Sequence, residues 1–395
     1  MKRFNIFNLI FLAFGISSIA IDPLIPYISE TLQIGYDKIG VVLLIGSVFS
    51  LVSTLLSGIF SDHLDIKKVI LTGLILLFFG FLIFGIHINL IIFLIVLILL
   101  RSGYGTIDSS IHAYISHIHK KDRSFLFLRL DLFWFLGAVL GPLAIGGALI
   151  LGIDPQFVFL LFTVVFFALI ISFSVSRKKL NGAGPKRFDK VFNFFEFGRA
   201  IKNSVVVLTS LLLFFMMGAQ IGLSTWFTAY FTAFGLDISY GSLILSLYWA
   251  FSALGLYFGM KLLPRSNEIT LLIISCAAGT IFLAASSFLE PTWIKVLFLM
   301  AQGLSISVIF ALSISVSAQE NNRMKGTIMG LNISSALLGG VVFQPILGFV
   351  AEYAGSQYTI FAILAGSILG TGCAAALFYI LFKKYRIRLK MGRIK

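Results

Sequence analysis

The chain has 395 residues, 59% of them hydrophobic and only 12% charged, with a mean hydropathy of +1.03. A water-soluble globular protein of this length does not carry such a composition, so a polytopic membrane protein is expected and a soluble enzyme is excluded. The net charge of +14 would suit nucleic acid in a soluble protein, but here the cations stand between apolar runs, where membrane insertion puts them.

A helix needs about 20 apolar residues to cross the hydrocarbon, and such runs recur throughout the sequence. They predict an all-α fold with twelve transmembrane helices near 4–29, 38–60, 69–88, 90–116, 127–151, 156–176, 204–232, 240–262, 269–289, 292–318, 326–351 and 358–382. One set of loops, with both termini, holds "DHLDIKK", "HKKDR", "RKKLNGAGPKRFDK", "KLLPRSNE", "ENNRMK" and the tail "KKYRIRLKMGRIK". The other set has Lys38 and Lys295 as its only cationic residues. The positive-inside rule then makes both termini cytoplasmic, in the cell (inner or plasma) membrane. The long polar connection 177–203 divides the crossings into an amino-terminal bundle, 1–176, and a carboxyl-terminal bundle with its basic tail, 204–395. The halves are alike: "GVVLLIGSVFSLVSTLLSG" runs from Gly40 to Gly58 and "GSLILSLYWAFSALGLYFG" from Gly241 to Gly259. Two pseudo-symmetric bundles of this kind enclose a mid-membrane site and expose it alternately, which points to a carrier.

The first crossing follows Lys2 and Arg3 and holds "IAIDPLIPYI", too long and too marked by Asp and Pro for a cleaved signal peptide, so it is expected to be retained. Its Asp22 is an acid within an apolar run, which costs roughly 2.5–3.5 kcal/mol near mid-bilayer and implies a use. After the second crossing, "GIFSDHLDIKK" offers Gly58 for close helix approach and Asp62 at a helix end, able to latch the cytoplasmic side.

The fourth crossing reads "RSGYGTID", with Arg101 and Asp108 seven residues apart on one helix face. Counting depth from the helix ends places Asp22 nearer to Arg101 than to Asp108. An Asp22–Arg101 pair leaves Asp108 as the better proton carrier, although the two acids can titrate as a unit. The bland alternative is a static ion pair that fixes packing. Asp131, at the start of the fifth crossing beside Arg129, reads either as a proton-coupling group or as an interfacial one. His112, His117 and His119 are spaced five and two apart, not as a zinc helix, and are expected to end the fourth crossing. Cys276 and Cys373 lie in apolar segments, so neither a disulfide framework nor a metal site is expected.

In the seventh crossing, "GAQIGLSTW" places Gln220 and Trp226 six apart; in the eleventh, Asn332 and Gln344 are twelve apart, and Pro345 must bend the helix for both to meet one cavity. Gln220 is the best candidate for binding hydroxyl groups. Tyr104, Trp134 and Trp249 are candidates for stacking on a ring, against the alternative that they line interfaces. There is no Gly-rich phosphate loop, so no nucleotide or other cofactor is implied and transport would be secondary.

These motifs resemble the major facilitator superfamily, and within it the fucose permease-like sugar:proton symporters, over essentially the whole chain. The loop after the second crossing is similar to the superfamily's loop motif at Gly58, Asp62 and Lys67, with His63, Asp65 and Ile66 where Arg, Gly and Arg are usual. The permease-like features are "DPLIP", "GYGTID", "GAQIGLSTWFTAY" and "GGVVFQPILGF". The resemblance implies that Asp22 and Asp108 couple proton uptake to sugar binding, and that Asp131 stands where relatives carry a polar cavity residue. Arg101 and "GAVLGPLAIGG" instead resemble elements of proton-coupled antiporters.

The expectation is a monomeric secondary transporter, not an enzyme, that takes up a small polar solute, foremost a monosaccharide, with protons. An exporter of amphipathic compounds, a non-transporting sensor, and sodium as the coupling ion stay open.

Overall fold

The computed structural model describes residues 5–118, 123–176, 202–263, 266–319 and 325–392. The first crossing is α1 (Asn5–Ile19), a 3-10 turn (Asp22–Leu24) and α2 (Ile25–Leu32). Then come α3 (Tyr36–His63), α4 (Ile66–Ile86), α5 (Leu90–Ile118), α6 (Arg123–Ile150) and α7 (Pro155–Ser176). The second half has α8 (Ser204–Thr232), α9 (Ile238–Leu262), α10 (Glu268–Phe288), α11 (Thr292–Ile306), α12 (Ile309–Ala318), α13 (Lys325–Tyr353) and α14 (Thr359–Gly392). Among the described residues, twelve helical spans are long and apolar enough to cross a membrane, with α1–α2 and α11–α12 each counting as one. The chain is thus an integral membrane protein.

Helices suit this setting because each satisfies its own backbone hydrogen bonds where no water can. The helix ends, which leave amides free, carry polar caps in the short connections. Asp65 accepts from the Lys67 amide (3.1 Å), Asn89 from Ile92 (2.9 Å), Asp154 from Gln156 (2.8 Å), Asp237 from Ser239 (2.8 Å) and Asn267 from Ile269 (3.1 Å).

The first crossing breaks where the prolines fall. Pro23 has no amide to donate, and the chain tightens into the Asp22–Leu24 turn, with the Leu24 amide on the Ile21 carbonyl (2.9 Å). The break between α11 and α12, at Ser307–Val308, occurs without a proline.

The repeat is visible in how each half packs. In the first half, α1 lies against α6 with Gly137 under the Leu12 carbonyl; in the second, α8 lies against α13 with Gly339 under the Phe214 carbonyl. A Cβ at either glycine would collide with that backbone oxygen. Gly105 of α5 meets the Ser50 carbonyl of α3, and Gly255 of α9 meets the Leu304 carbonyl of α11 in the same manner. Left-handed residues also recur about half a chain apart: Gln33 with Gly235, and Gly152 with Gly355, each ending a helix before the next connection. Close helix approach at small residues is how bundles associate in lipid, where apolar burial alone does not favour contact.

Contacts group the described residues into two units. One comprises those of Met1–Asp189 with Ser224–Ala250 and Gln344–Tyr358; the other comprises those of Lys190–Leu223, Phe251–Phe343 and Thr359–Lys395. In the first, α3 and α4 pack on α5, and α7 packs on α4 through ring contacts such as Phe81 stacked on Phe166 (5.5 Å) and Phe84 tilted against Phe159 (4.3 Å). In the second, α10 packs on α11 and α14, where the Thr280 hydroxyl bonds to those of Ser367 and Thr371, each at 2.7 Å.

Candidate substrate and proton site

The break after α1 delivers Asp22 into the first unit, where the residue is only 4% exposed. Ser224 of α8 donates its hydroxyl to Asp22 Oδ2 at 2.8 Å, and the Thr225 hydroxyl also acts on the carboxylate. Arg101 of α5 exerts an electrostatic pull on Asp22, and no ion pair within 4.0 Å joins them among the described residues. The sequence-based depth count therefore places the two near one another, while the direct partner is a hydroxyl from the other half of the sequence.

The network continues along α8. Thr225 accepts from Gln344 Nε2 of α13 (3.0 Å), and Gln344 Oε1 accepts from Trp226 Nε1 (3.2 Å). Both Trp226 and Gln344 are buried, so in this conformation they satisfy each other. The Trp226 ring meets Tyr36 edge-on at 5.5 Å, and the Tyr36 amide donates to Glu352 Oε2 at 2.7 Å. Gly40 of α3 and Gly348 of α13 lie backbone to backbone beside this layer. The ends of α8 and α13 are thus closed over Asp22 within one unit.

A string of rings belongs to the same unit as the carboxylate. Tyr104 stacks on Phe14 (5.1 Å, 23° between planes), Phe14 meets Trp134 edge-on (6.3 Å), and Trp134 meets Trp249 edge-on (5.4 Å). Both ends of the string have a buried polar atom without a hydrogen-bond partner: the Tyr104 hydroxyl and Trp249 Nε1. The Ser17 hydroxyl, which donates to its own Phe14 carbonyl (3.1 Å), acts on Tyr104 electrostatically without making a hydrogen bond of normal geometry with the phenol. Leaving such groups unpaired costs about 1–3 kcal/mol each, which a ligand bringing hydroxyl groups would recover.

A second polar cluster lies further along α5. His112 Nδ1 is 3.3 Å from Asp108 Oδ1, and Asp131 of α6 acts on the same imidazole. Sequence reading expects His112 to help end the fourth crossing; it lies near the end of α5, which runs to Ile118, and there it pairs with Asp108. The overlooked signal is the i, i+4 spacing of Asp108 and His112, which puts both on one face. With the Asn8 amide turned so that its oxygen faces the guanidinium, Arg129 donates from Nη2 (2.7 Å) and Nε (3.0 Å) to that buried side chain, and no ion pair within 4.0 Å joins it to Asp131 among the described residues.

Other predicted residues have separate surroundings. Asn332 is buried on α13 and accepts from Ser210 (2.9 Å) and Thr209 (3.3 Å), so it and Gln344 have different partners. Gln220 is half-buried on α8. Asp65, not foreseen as a cap, holds the Lys67 amide at the start of α4. The side chains at Gly58, Asp62, His117 and His119 lie outside the described residues, as does most of 177–203.

The family description "Major Facilitator Superfamily" matches residues 7–342. The chain belongs to that superfamily. As a superfamily member it is a transporter rather than an enzyme, and its two halves are the six-helix repeats of that fold. Its fold is shared with the nucleoside transporter NupG, at 14% identity over 96% of this chain and 100% of that one, with a TM-score of 0.80. A peptide transporter, POT, in complex with sulfate, matches at 14% identity over 95% of each chain and a TM-score of 0.71. The E. coli fucose:proton symporter FucP matches at 18% identity over 98% of each chain and a TM-score of 0.66. No curated protein matches this superfamily member.

Proposed function

We infer that this transporter takes up a small polyhydroxylated ring solute, foremost a monosaccharide, together with protons by alternating access. The observation that carries the reading is Asp22: an acid at a helix break, buried, and hydrogen-bonded to a serine of the opposite repeat. Similarity in fold to a fucose:proton symporter and a nucleoside transporter supports a solute with a ring and hydroxyl groups. The aromatic string with its unpaired Tyr104 hydroxyl and Trp249 Nε1 supports the same class, since a sugar ring offers apolar faces and hydroxyl groups together.

In this reading Asp22 and Asp108 are proton-coupling groups, Arg101 and Asp131 modulate them, and Tyr104, Trp134, Gln220, Trp226, Asn332 and Gln344 contact the solute at different stages of the cycle. Trp226 and Gln344 do so only after they release one another. Protonation removes the cost of keeping a carboxylate away from water, so the loaded carrier reorients; ionisation on the proton-poor side releases the cargo. Gly58, Asp62 and Lys67 serve the loop that latches one face, and both termini are cytoplasmic in the cell membrane.

Export of amphipathic compounds has weaker support, because Gly137 and Gly141 of the antiporter-like segment are already used to seat α1 against α6. The test is uptake into proteoliposomes under an imposed pH gradient, with labelled hexoses and nucleosides. Concentrative uptake that an uncoupler abolishes is expected; movement of none of these solutes would overturn the reading.

A further inference from the structure

Within the first unit, α6 and α9 are laced together by hydroxyl groups. Ser242 of α9 donates to the Pro142 carbonyl of α6 at 2.6 Å, and Ser246 donates to the Val139 carbonyl at 2.7 Å. Towards the start of α9, Gly146 lies under the Ser239 carbonyl; in the other direction the Trp249 ring meets Phe135 at 5.9 Å and Trp134 at 5.4 Å. Each rung lies three or four residues from the last on both helices, so antiparallel α6 and α9 are joined once per helical turn. This stretch of α9 belongs to the segment that groups with the first unit, Ser224–Ala250, and the rung at Trp249 stands at its edge.

A serine inside a helix ordinarily donates to a carbonyl three or four residues back in its own helix. Elsewhere in this chain that is what happens: Ser286 donates to Leu283 (2.7 Å) and Ser305 to Ala301 (2.8 Å). Ser242 and Ser246 are buried and donate across the seam instead. Rotation about χ1 returns each hydroxyl to its own helix, where the carbonyls of Ile238 and Ser242 stand four residues back. The acceptors lose little in that exchange, because the Val139 and Pro142 carbonyls lie inside α6, four residues before the amides of Leu143 and Gly146. The seam can therefore open without stranding a buried polar group, a property that a clasp made of charges or side-chain amides lacks.

We propose that Ser242 and Ser246 are positioning residues of the transport cycle: they clasp α9 to α6 reversibly, and the clasp sets when the Trp249 ring, with its unpaired Nε1, is presented beside Trp134. This rests on the reading of those rings as solute contacts and adds to it the residues that bring them together. Ser246 lies one helical turn from Trp249 and Ser242 two turns, so a displacement of α9 along or away from α6 moves the indole with it. With the hydroxyls across the seam, Trp249 and Trp134 stand edge to face as one wall. With the hydroxyls turned back, α9 is free to withdraw its ring, and the solute loses that side of its site.

Spin labels test this in lipid nanodiscs, carried by Leu151→Cys and Tyr240→Cys in a background with Cys276→Ser and Cys373→Ser. Both labelled positions are exposed, one just past the end of α6 and the other near the start of α9, and the distance between them reads the seam without any solute. With Ser242→Ala and Ser246→Ala together, the ratio of longer to shorter distances should rise at least about threefold, and the affinity for glucose or uridine, read by thermal shift, should fall by a similar factor. Ser286→Ala, which removes a hydroxyl that stays within its own helix, should leave the ratio unchanged. The melting temperature of the double variant should move by less than about 3 °C. An unchanged distance distribution in the double variant, or a lower melting temperature with the same distances, would overturn the proposal and make the serines packing residues. Distances that shift while affinity does not would overturn the link to Trp249. A wild type that binds neither glucose nor uridine removes instead the reading of the rings as solute contacts, and the distances still decide whether the clasp exists.

Discussion

Ser224 of α8 donates a 2.8 Å hydrogen bond to the carboxylate of Asp22, joining a helix end of the second repeat to the broken helix of the first. A hydrogen bond to a charged group contributes about 1.5–3 kcal/mol, so this contact has weight in deciding how long the ends of α8 and α13 stay closed over Asp22. Replacing the hydroxyl by Ser224→Ala should release that end. In a background with Cys276→Ser and Cys373→Ser, a cysteine introduced as Ala229→Cys should react with a membrane-impermeant maleimide about tenfold faster when Ser224→Ala is added. An unchanged labelling rate would mean that the contact does not hold the closure.

The unpaired Tyr104 hydroxyl and Trp249 Nε1 separate a packing role from a binding role. Since neither atom has a hydrogen-bond partner, Tyr104→Phe should leave thermal stability unchanged or raise it, and so should an analogous loss of the polar atom at Trp249. Solute affinity should nevertheless fall about tenfold in Tyr104→Phe, as expected when a hydrogen bond to the cargo is removed. Thermal shift with and without a hexose or nucleoside reports both quantities. A variant that loses stability but keeps affinity would assign these rings to the core alone.

Helix seams predict sharply local tolerance. Gly137→Ala and Gly339→Ala each place a methyl group against a backbone carbonyl of the partner helix, and overpacking of this kind costs about 1–3 kcal/mol. Gly147→Ala, with nothing within 4 Å of its added carbon, should be neutral or slightly stabilising because alanine favours the helix. Melting temperatures in detergent check the contrast. The matching loss at Gly137 and Gly339 would also show that the two repeats rely on one packing device.

Much of this architecture can be read from the residues. Apolar runs give the twelve spans, the positions of Pro23 and Pro26 foretell the break at Asp22, and depth counting brings Asp22 towards Arg101. Contacts that join distant segments are a different matter. Nothing in local spacing says that Ser224 faces Asp22, or that Trp226 and Gln344, both read as solute contacts, bond to each other in the closed arrangement. Such pairings depend on helix rotation and on conformational state, neither of which a period of 3.6 residues encodes. His112 is different again: its i, i+4 relation to Asp108 is legible in the sequence, and a test for zinc spacing among the histidines alone does not reveal it.

At the connection between α8 and α9, Asp237 accepts from both the hydroxyl and the amide of Ser239, and these bonds hold its carboxyl below the usual carboxylate range. A lowered folded-state value means that the contribution is present above the ordinary carboxylate pKa and is lost as pH falls through the folded one. The residue is exposed, so the effect is small: Asp237→Ala should cost about 0.5 kcal/mol near neutral pH, and the difference from wild type should shrink on acidification. Chemical denaturation at two pH values measures it. A gap that widened in acid would contradict the sign.

The role assigned to Asp22 is tested most directly by comparing wild type with Asp22→Asn in proteoliposomes, measuring gradient-driven accumulation and solute exchange on the same preparation. Wild type should concentrate a labelled hexose or nucleoside under an inward proton gradient, while Asp22→Asn should still exchange it but no longer concentrate it. Equal, uncoupler-insensitive accumulation by both proteins would contradict the account.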